Sequence, residues 1–242
     1  MSGPSASEFT CVTYFPVAYS ARGPGYSCAS ILETFRGAGI RPLLVLPRAH
    51  TPLPAGIESR EAVPGPLRWV PWRVARRYAT TAAMAWRFRR VASDVPGVAK
   101  VAYFWPDPPV ELIQFARASG FVTVREMINT YRGTAKRVLD AEYRRLGLEP
   151  QHPISEPSVA HEREELAEYD YVLASNPLVE ASLAEAGVPA HRVIPTSFGW
   201  SLERFPATGS GNASAEPSSC SRTSRRGGRP SACTRPTVAW PG

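Results

Sequence analysis

Short apolar runs alternate with longer amphipathic segments between residues 9 and 205. The first run, FTCVTYF at 9–15, leads into a glycine-containing loop and then into a segment with apolar residues at helical spacing. Short β-rich runs bounded by turn residues predict buried strands, and longer periodic segments predict helices. Strands are predicted at 9–15, 43–46, 99–105, 121–128, 169–174 and 191–195, and helices at 28–39, 72–91, 111–119, 131–147, 156–168 and 176–186.

This alternation predicts an α/β fold with a doubly wound, mostly parallel, Rossmann-like sheet, because strand–helix–strand units cross over with one hand. Residues 51–66 are rich in Pro and Gly and are predicted to form a loop. Because the pattern persists as far as Phe205, one folded domain is predicted for residues 1–206.

The hydrophobic pattern disappears in residues 207–242, which are rich in Ser, Arg, Gly and Pro. Such a composition buries too little apolar surface to fold, so a disordered tail is predicted. Residues 208–242 hold five arginines and one acid, which is +4 of the total net charge of +7. A shift of reading frame near residue 217 explains this mixture; a natural Arg/Ser-rich tail that binds RNA is the alternative.

Other sequence features narrow the class of protein. No run of about 18 apolar residues is present, and the N-terminus has neither the basic nor the apolar part of a secretory signal. Cys11 and Cys28 lie in apolar or helical segments and are predicted to be buried free thiols of a cytoplasmic protein. The four histidines show no ligand spacing, so no metal site is predicted.

The most specific stretch is residues 161–205, which closes the predicted domain. An acidic helix, a strand of the type "aDyvlaS", a helix ending in "eaGvp" and a strand ending in "viP" follow one another here. This order resembles the N-terminal domain of the family 4 retaining glycosyltransferases, which have the two-domain GT-B fold. The matching residues are Glu164, Asp170, Tyr171, Val172, Ser175, Leu183, Gly187, Val188, Pro189, Val193, Pro195, Gly199 and Phe205.

The resemblance implies an enzyme that transfers a sugar from a nucleotide-sugar donor to a glycan, lipid-linked or small-molecule acceptor, with no metal or other cofactor. In this family the C-terminal domain binds the donor, and none of its phosphate-binding residues can be placed in residues 206–242. The chain is therefore expected to be a truncated or frame-shifted, acceptor-side half with little or no transferase activity of its own. Both substrates must share one cleft for transfer.

Several residues are candidates for contacts with the acceptor or with phosphate groups. The resemblance places a glycine loop after the first strand, and Gly23 and Gly25 match it at the start of a helix, where the helix dipole favours an anion. Asp107 follows the strand 99–105 and is a candidate for binding a sugar hydroxyl. Ser175 ends the strand 169–174 at the edge where doubly wound sheets bind ligands. For Gly23 and Gly25, an ordinary glycine turn is the alternative.

The end of the strand 121–128 is where many family members carry a histidine, which this sequence lacks. Glu126 and Asn129 are the polar residues best placed there, and they are the candidate catalytic residues. Asn129 is expected to bind a sugar hydroxyl, and Glu126 to bind one or to act on the acceptor hydroxyl. Arg132 and Lys136 on the next helix are candidates for an acceptor phosphate. For all four, a role as surface or capping residues is the alternative.

The predicted helix 72–91 carries a basic face. It resembles the amphipathic helix that seats some of these enzymes on anionic membranes, and each basic residue near such a surface contributes about 1 kcal/mol. The protein is therefore expected in the cytoplasm, with peripheral contact at the inner membrane face. A surface helix packed on the sheet by its apolar side is the alternative. Arg73, Arg76, Arg77 and Arg87 fall on one face, and Val74, Tyr78, Ala82, Ala85 and Phe88 on the other.

Two functions of other classes remain compatible with the sequence. One is a binding module that recognises a glycan or phosphate without chemistry. The other is nucleic-acid binding through the Arg-rich tail, and the shortage of aromatic residues in that tail counts against it. No specific nucleic-acid partner is therefore predicted.

Overall fold

The computed structural model describes residues 9–63, 65–95 and 99–197. Within them, seven parallel strands form one sheet in the order β3-β2-β1-β4-β5-β6-β7. This arrangement confirms the predicted doubly wound, Rossmann-like α/β class. The strands are β1 (Phe9–Tyr14), β2 (Ile40–Leu46), β3 (Glu58–Glu61), β4 (Ala99–Phe104), β5 (Val122–Met127), β6 (Tyr171–Ala174) and β7 (Val193–Pro195).

The strand order reverses at β1, which pairs with β2 on one side and with β4 on the other. The chain first builds outward to β3 and then returns across β1 to build the other half of the sheet. Helices consequently pack on both faces of the sheet. They are α1 (Gly23–Gly37), α2 (Trp72–Ala75), α3 (Thr81–Ser93), α4 (Val110–Ala118), α5 (Arg132–Arg145), α6 (Glu156–Ala167) and α7 (Pro177–Glu185).

Two apolar cores fill the two sides of the sheet. The larger core joins one face of β1, β4, β5 and β6 to α3, α4, α6 and α7, with Phe88, Phe104 and Leu183 fully buried. The smaller core packs α1 on the opposite face, where Cys28 and Leu32 contact the strands. Cys11 and Cys28 are both buried and free, as predicted.

The face that carries α1 is less well covered toward β7. Val122, Tyr171 and Ile194 lie on that side of β5, β6 and β7 and are exposed. Strands of purely parallel sheets are normally buried on both faces. Among the described residues, no helix covers this outer strip of apolar side chains.

The prediction of a loop at 51–66 is wrong for residues 58–61. Residues Glu58–Glu61 form the edge strand β3, which pairs with β2 from Leu43 onward. The strand has no apolar alternation because it lies at the edge and is held by backbone hydrogen bonds. Glu58 adds an ion pair with Arg41 at 2.7 Å. A polar edge strand of this kind leaves no hydrophobic signal in the sequence.

The prediction of one continuous helix at 72–91 is also wrong. The helix α2 passes into a 3-10 turn at Arg76–Tyr78, and a new helix, α3, begins at Thr81. Thr80 adopts an extended backbone and its hydroxyl accepts a hydrogen bond from the amide of Ala83 at 3.1 Å. This N-cap starts the second helix, after the first has already ended at Ala75. Arg73, Arg76 and Arg77 therefore do not share a helix with Arg87.

The tail from 207 to 242, with the proposed frame shift near residue 217, lies outside the described residues. The same holds for the end of the stretch that carries the family resemblance, including Gly199 and Phe205. Within the described part of the chain, no helix is long and apolar enough to cross a bilayer.

Candidate functional site

A cavity of about 530 Å³ opens at the carboxyl edge of β4, β5 and β6. Its volume falls within the range of small-ligand pockets, and the carboxyl edge is where doubly wound sheets bind ligands. Apolar walls come from Met127, Ile154 and Leu178. The polar side chains that line the cavity are Arg125, Asn129, Thr130, Arg132, Glu162 and Asn176.

One wall is the start of α7. Asn176 caps this helix, because its Oδ1 accepts hydrogen bonds from the amides of Leu178 at 3.0 Å and Val179 at 3.1 Å. Gly187 lies just past the helix end with a φ of 87°. Both features confirm the sequence prediction for this helix. Ser175 precedes the cap, is buried, and accepts a hydrogen bond from Asn176 Nδ2 at 3.3 Å.

The floor of the cavity is a buried ionic network. Arg125 is fully buried, and its Nη1 donates to Glu165 Oε1 while its Nη2 lies 3.2 Å from Glu162 Oε1. The other oxygen of Glu162 accepts the backbone N–H of Arg132 at 2.6 Å. Tyr169 donates its hydroxyl to Glu165 Oε1 at 2.9 Å. Glu162 therefore joins the buried guanidinium to the first residue of α5.

This network contains two carboxylates for one guanidinium. Burial disfavours the charge of Arg125, but Glu165, Tyr169 and Glu162 outweigh it, so the pKa of the guanidinium is raised. Burial also raises the pKa of Glu165, against the opposing effect of Arg125. Glu165 Oε2 is buried and has no hydrogen-bond partner among the residues that the structure describes. Within the described residues, one guanidinium thus serves two buried carboxylates, and Glu165 has one oxygen without a hydrogen bond.

The mouth of the cavity holds polar groups that have no hydrogen-bond partner in the described part of the chain. Asn129 is exposed and Thr130 is half-buried, and neither side chain makes a hydrogen bond within the described residues. Beside them, Arg132 Nη2 contacts Asp107 Oδ1 at 2.5 Å. Of the residues predicted for the site, the fold therefore brings together Asn129, Arg132 and Asp107. Ser175 is not in the cavity lining, although its neighbour Asn176 is.

Glu126 lies elsewhere. It points to the face that carries α1, opposite Arg125, because neighbouring residues of a strand alternate in direction. Only 2% of Glu126 is exposed, and it accepts a hydrogen bond from the hydroxyl of Tyr103. Burial raises the pKa of its carboxyl, against the opposing effect of the Tyr103 hydrogen bond. The two residues predicted for catalysis, Glu126 and Asn129, are therefore separated by the sheet.

The predicted glycine loop forms the first turn of α1. A Cβ on Gly25 would lie 2.5 Å from the carbonyl oxygen of Ser20, so glycine is required for close backbone packing. Gly23 has a φ of 54° and no heavy atom near the position of a Cβ. Neither glycine lines the cavity, which lies on the other side of the sheet.

Lys136 also lies outside the cavity lining. Its Nζ contacts Asp140 Oδ2 at 2.7 Å and Glu156 Oε1 at 3.2 Å. Asp140 in turn contacts His152 Nε2 at 2.6 Å. Lys136 thus joins α5 to the start of α6 through its ion pairs. In the described structure its ammonium group does not face the cavity.

Sequence reasoning missed the Arg125 network. Its signals are an arginine in a predicted buried strand and two glutamates three residues apart on α6, Glu162 and Glu165. Residues three apart lie on the same face of a helix. An acidic helix does not by itself show which of its acids are buried, and only the packing of α6 against β5 shows that these two acids point inward.

No protein-family model matches this sequence, and no curated protein matches it. Among solved structures, sucrose-phosphate synthase from Thermosynechococcus elongatus is similar, with a TM-score of 0.53 and 13% identity over 81% of this chain. The match covers 49% of the synthase, so this chain spans about half its length. HepE from Anabaena, solved in complex with UDP and glucose, matches with a TM-score of 0.47 and 11% identity, over 80% of this chain and 45% of HepE.

The likeness to sucrose-phosphate synthase bears on the fold alone at this identity. It agrees with the predicted fold class, because the synthase is a glycosyltransferase of GT-B type. Fold by itself does not establish activity.

Proposed function

We propose that this domain is the acceptor-binding half of a glycosyltransferase and that the cavity at the ends of β4, β5 and β6 holds the acceptor sugar. The observation that carries the proposal is the set of unpartnered polar groups at the cavity mouth, at the edge where such sheets bind ligands. The likeness to sucrose-phosphate synthase supports the choice of reaction class.

The cavity suits a sugar chemically. Sugar hydroxyls both donate and accept hydrogen bonds, and the amide of Asn129 and the hydroxyl of Thr130 do the same. Apolar side chains such as Ile154 and Leu178 offer a surface for the carbon face of a pyranose ring. A few placed polar groups on an apolar wall are typical of small-molecule sites.

The donor belongs to a different part of the proposed enzyme. Transfer requires both substrates to be positioned in one closed cleft, and this chain spans about half the length of the synthase it resembles. We propose that a second domain of the family 4 type binds the nucleotide-sugar, and that the described domain alone binds acceptor with little or no turnover. The alternative is a binding module that has no catalytic activity. The two are distinguished by adding a donor-binding domain: a binding module would still show no turnover.

The proposal predicts that a neutral sugar binds at Asn129. In an NMR titration with a panel of mono- and disaccharides, the amides of Asn129, Thr130 and Asn176 are expected to shift together. Asn129→Ala should weaken the affinity about 3- to 10-fold, because one or two neutral hydrogen bonds are lost. Gln114→Ala is the matched control, since that amide bonds Glu168 at 3.3 Å and is absent from the cavity lining. Unchanged affinity in Asn129→Ala would contradict the site.

A second proposal concerns a membrane surface. Trp69 is 93% exposed and Trp86 is 61% exposed. Arg73, Arg76 and Arg77 are exposed on the segment between them in sequence, whereas Arg87 is half-buried and lies over the Trp86 ring. Exposed tryptophans and arginines are the residue types that bind an anionic lipid surface. We propose that Arg73, Arg76 and Arg77 contact the membrane surface and that Arg87 does not.

Charge reversal tests this second proposal. Arg76→Glu/Arg77→Glu is expected to weaken binding to phosphatidylserine-containing vesicles at least 100-fold, because each arginine contributes about 1 kcal/mol near such a surface and reversal doubles the change. Arg144→Glu/Arg145→Glu alters the net charge equally on α5 and should retain binding. Vesicle co-sedimentation at low and high salt measures both. Equal loss in the two variants would mean a net-charge effect rather than a surface patch.

A further inference from the structure

Asp107 has an unusual backbone. Its φ of 67° makes it the single non-glycine residue with positive φ in the described structure. The residue that follows is Pro108, and proline restricts the residue before it to extended conformations. Aspartate tolerates the left-handed region better than most residues, but the conformation is still strained. Strain of this kind at the carboxyl end of a strand is characteristic of functional loops.

The strained backbone brings a carboxylate to the cavity mouth. Asp107 Oδ1 lies 2.5 Å from Arg132 Nη2, and Arg132 lines the cavity. The Asp107 side chain is 57% exposed and that of Arg132 is 28% exposed. Within the described residues, Arg132 Nε and Nη1 have no other hydrogen-bond partner. The guanidinium therefore retains most of its donors for a ligand.

Arg132 is also the cation of the cavity whose charge is most available. Arg125 is the other arginine in the lining, and Glu162 and Glu165 neutralise it in the buried floor. Lys136, one turn along α5, is held by Asp140 and Glu156. By contrast, the partner of Arg132 is a single exposed carboxylate, and exposed ion pairs are weak.

We propose that Arg132 is an oxyanion subsite of the cavity and that the Asp107 carboxylate occupies it until a ligand with a phosphate group binds. The ligand is then a phosphorylated sugar. This choice of ligand rests on the sugar site proposed above. A guanidinium can donate two parallel hydrogen bonds to two oxygens of one phosphate group. Asp107 uses only one of these donors, because a single carboxylate oxygen contacts a single Nη. Glu162 accepts the backbone N–H of Arg132 and so fixes the start of α5 beside the cavity.

Inorganic phosphate is the probe that tests the subsite. In an NMR titration of the full chain, the amides of Asn129, Thr130 and Arg132 should show saturable shifts. Asp107→Asn removes the competing charge and keeps a side chain that tolerates positive φ, so the affinity for phosphate should rise about fivefold. Arg132→Ala should lower it at least about tenfold, because charge-assisted hydrogen bonds are lost. Arg132→Lys should give an intermediate affinity.

The chain offers a matched pair of controls on α5 and α7. Arg137 and Glu185 form an exposed ion pair at 2.8 Å away from the cavity lining. Arg137→Ala and Glu185→Gln should leave phosphate affinity unchanged. Equal effects of Asp107→Asn and Glu185→Gln would overturn the inference, and so would phosphate binding that survives in Arg132→Ala.

Glucose and glucose 6-phosphate separate this inference from the proposed function. Arg132-dependent preference for the phosphorylated sugar supports both. If neutral sugars bind but phosphate does not, the subsite is overturned while the sugar site stands. If phosphate binds through Arg132 but neither sugar adds affinity over phosphate alone, the subsite stands and the acceptor site is overturned.

Discussion

Arg125→Met is expected to lower the free energy of unfolding by about 3–5 kcal/mol, because it leaves two buried carboxylates without their cation. The guanidinium is fully buried and contacts both Glu162 and Glu165. Methionine fills a similar volume, so the loss reports charge rather than a cavity. Urea unfolding followed by circular dichroism measures the difference.

The size of this loss should depend on pH. Burial already raises the pKa of Glu165, and removing Arg125 raises it further. A carboxyl with a raised folded-state pKa stabilises the fold only while protonated, so stability falls as pH rises through that pKa. Arg125→Met should therefore be closer to wild type at about pH 5 than at about pH 8.

Two further variants make the result specific to the network. Adding Glu165→Gln to Arg125→Met removes one of the stranded charges and should restore part of the stability. Arg117→Met is the matched control, because Arg117 pairs with Glu168 and Asp170 at the surface and contributes about 1 kcal/mol or less. If Arg125→Met and Arg117→Met cost the same at both pH values, the buried network is not an electrostatic unit.

Phe104→Ala is expected to cost about 3–5 kcal/mol, because it empties the centre of the larger core. Phe104 is fully buried on β4, and its ring centroid lies 5.3 Å from that of Phe88 and 5.7 Å from that of Tyr169. Tyr169 is also the donor to Glu165, so the aromatic cluster supports one side of the ionic floor. The loss should be nearly independent of pH, unlike that of Arg125→Met.

Val122→Ala is the control for the core prediction. Val122 lies on β5 but is exposed on the outer strip of the sheet, so truncation should change the free energy of unfolding by about 0.5 kcal/mol or less. Chemical denaturation of both variants under one set of conditions gives the comparison. A Phe104→Ala loss no larger than that of Val122→Ala would show that the larger core does not carry the stability of the sheet.

The sequence predicted only some of the residues that lie at the cavity. Asn129 and Asp107 were predicted as site residues at the ends of two predicted strands, and Arg132 as a residue of the following helix; the fold places all three at one edge of the sheet, and their roles stay predictions. Glu126 was placed with them because it lies near the same strand end. The alternation of side chains along β5 instead turns Glu126 toward Tyr103 and Arg125 toward α6. A strand position alone does not say which face a charged residue takes.

The sequence by itself determined the alternation of strands and helices, the parallel α/β class and the local ends of α7. These features rest on short-range physics: apolar periodicity, the Asn176 cap and the left-handed Gly187. Tertiary structure alone decided two things: the polar edge strand β3 and the burial of Arg125 between two glutamates. Both depend on contacts between segments distant in sequence, where backbone pairing and charge neutralisation outweigh the local preference of the residues. The break at Thr80 is different, because it uses a local N-cap that the sequence analysis overlooked.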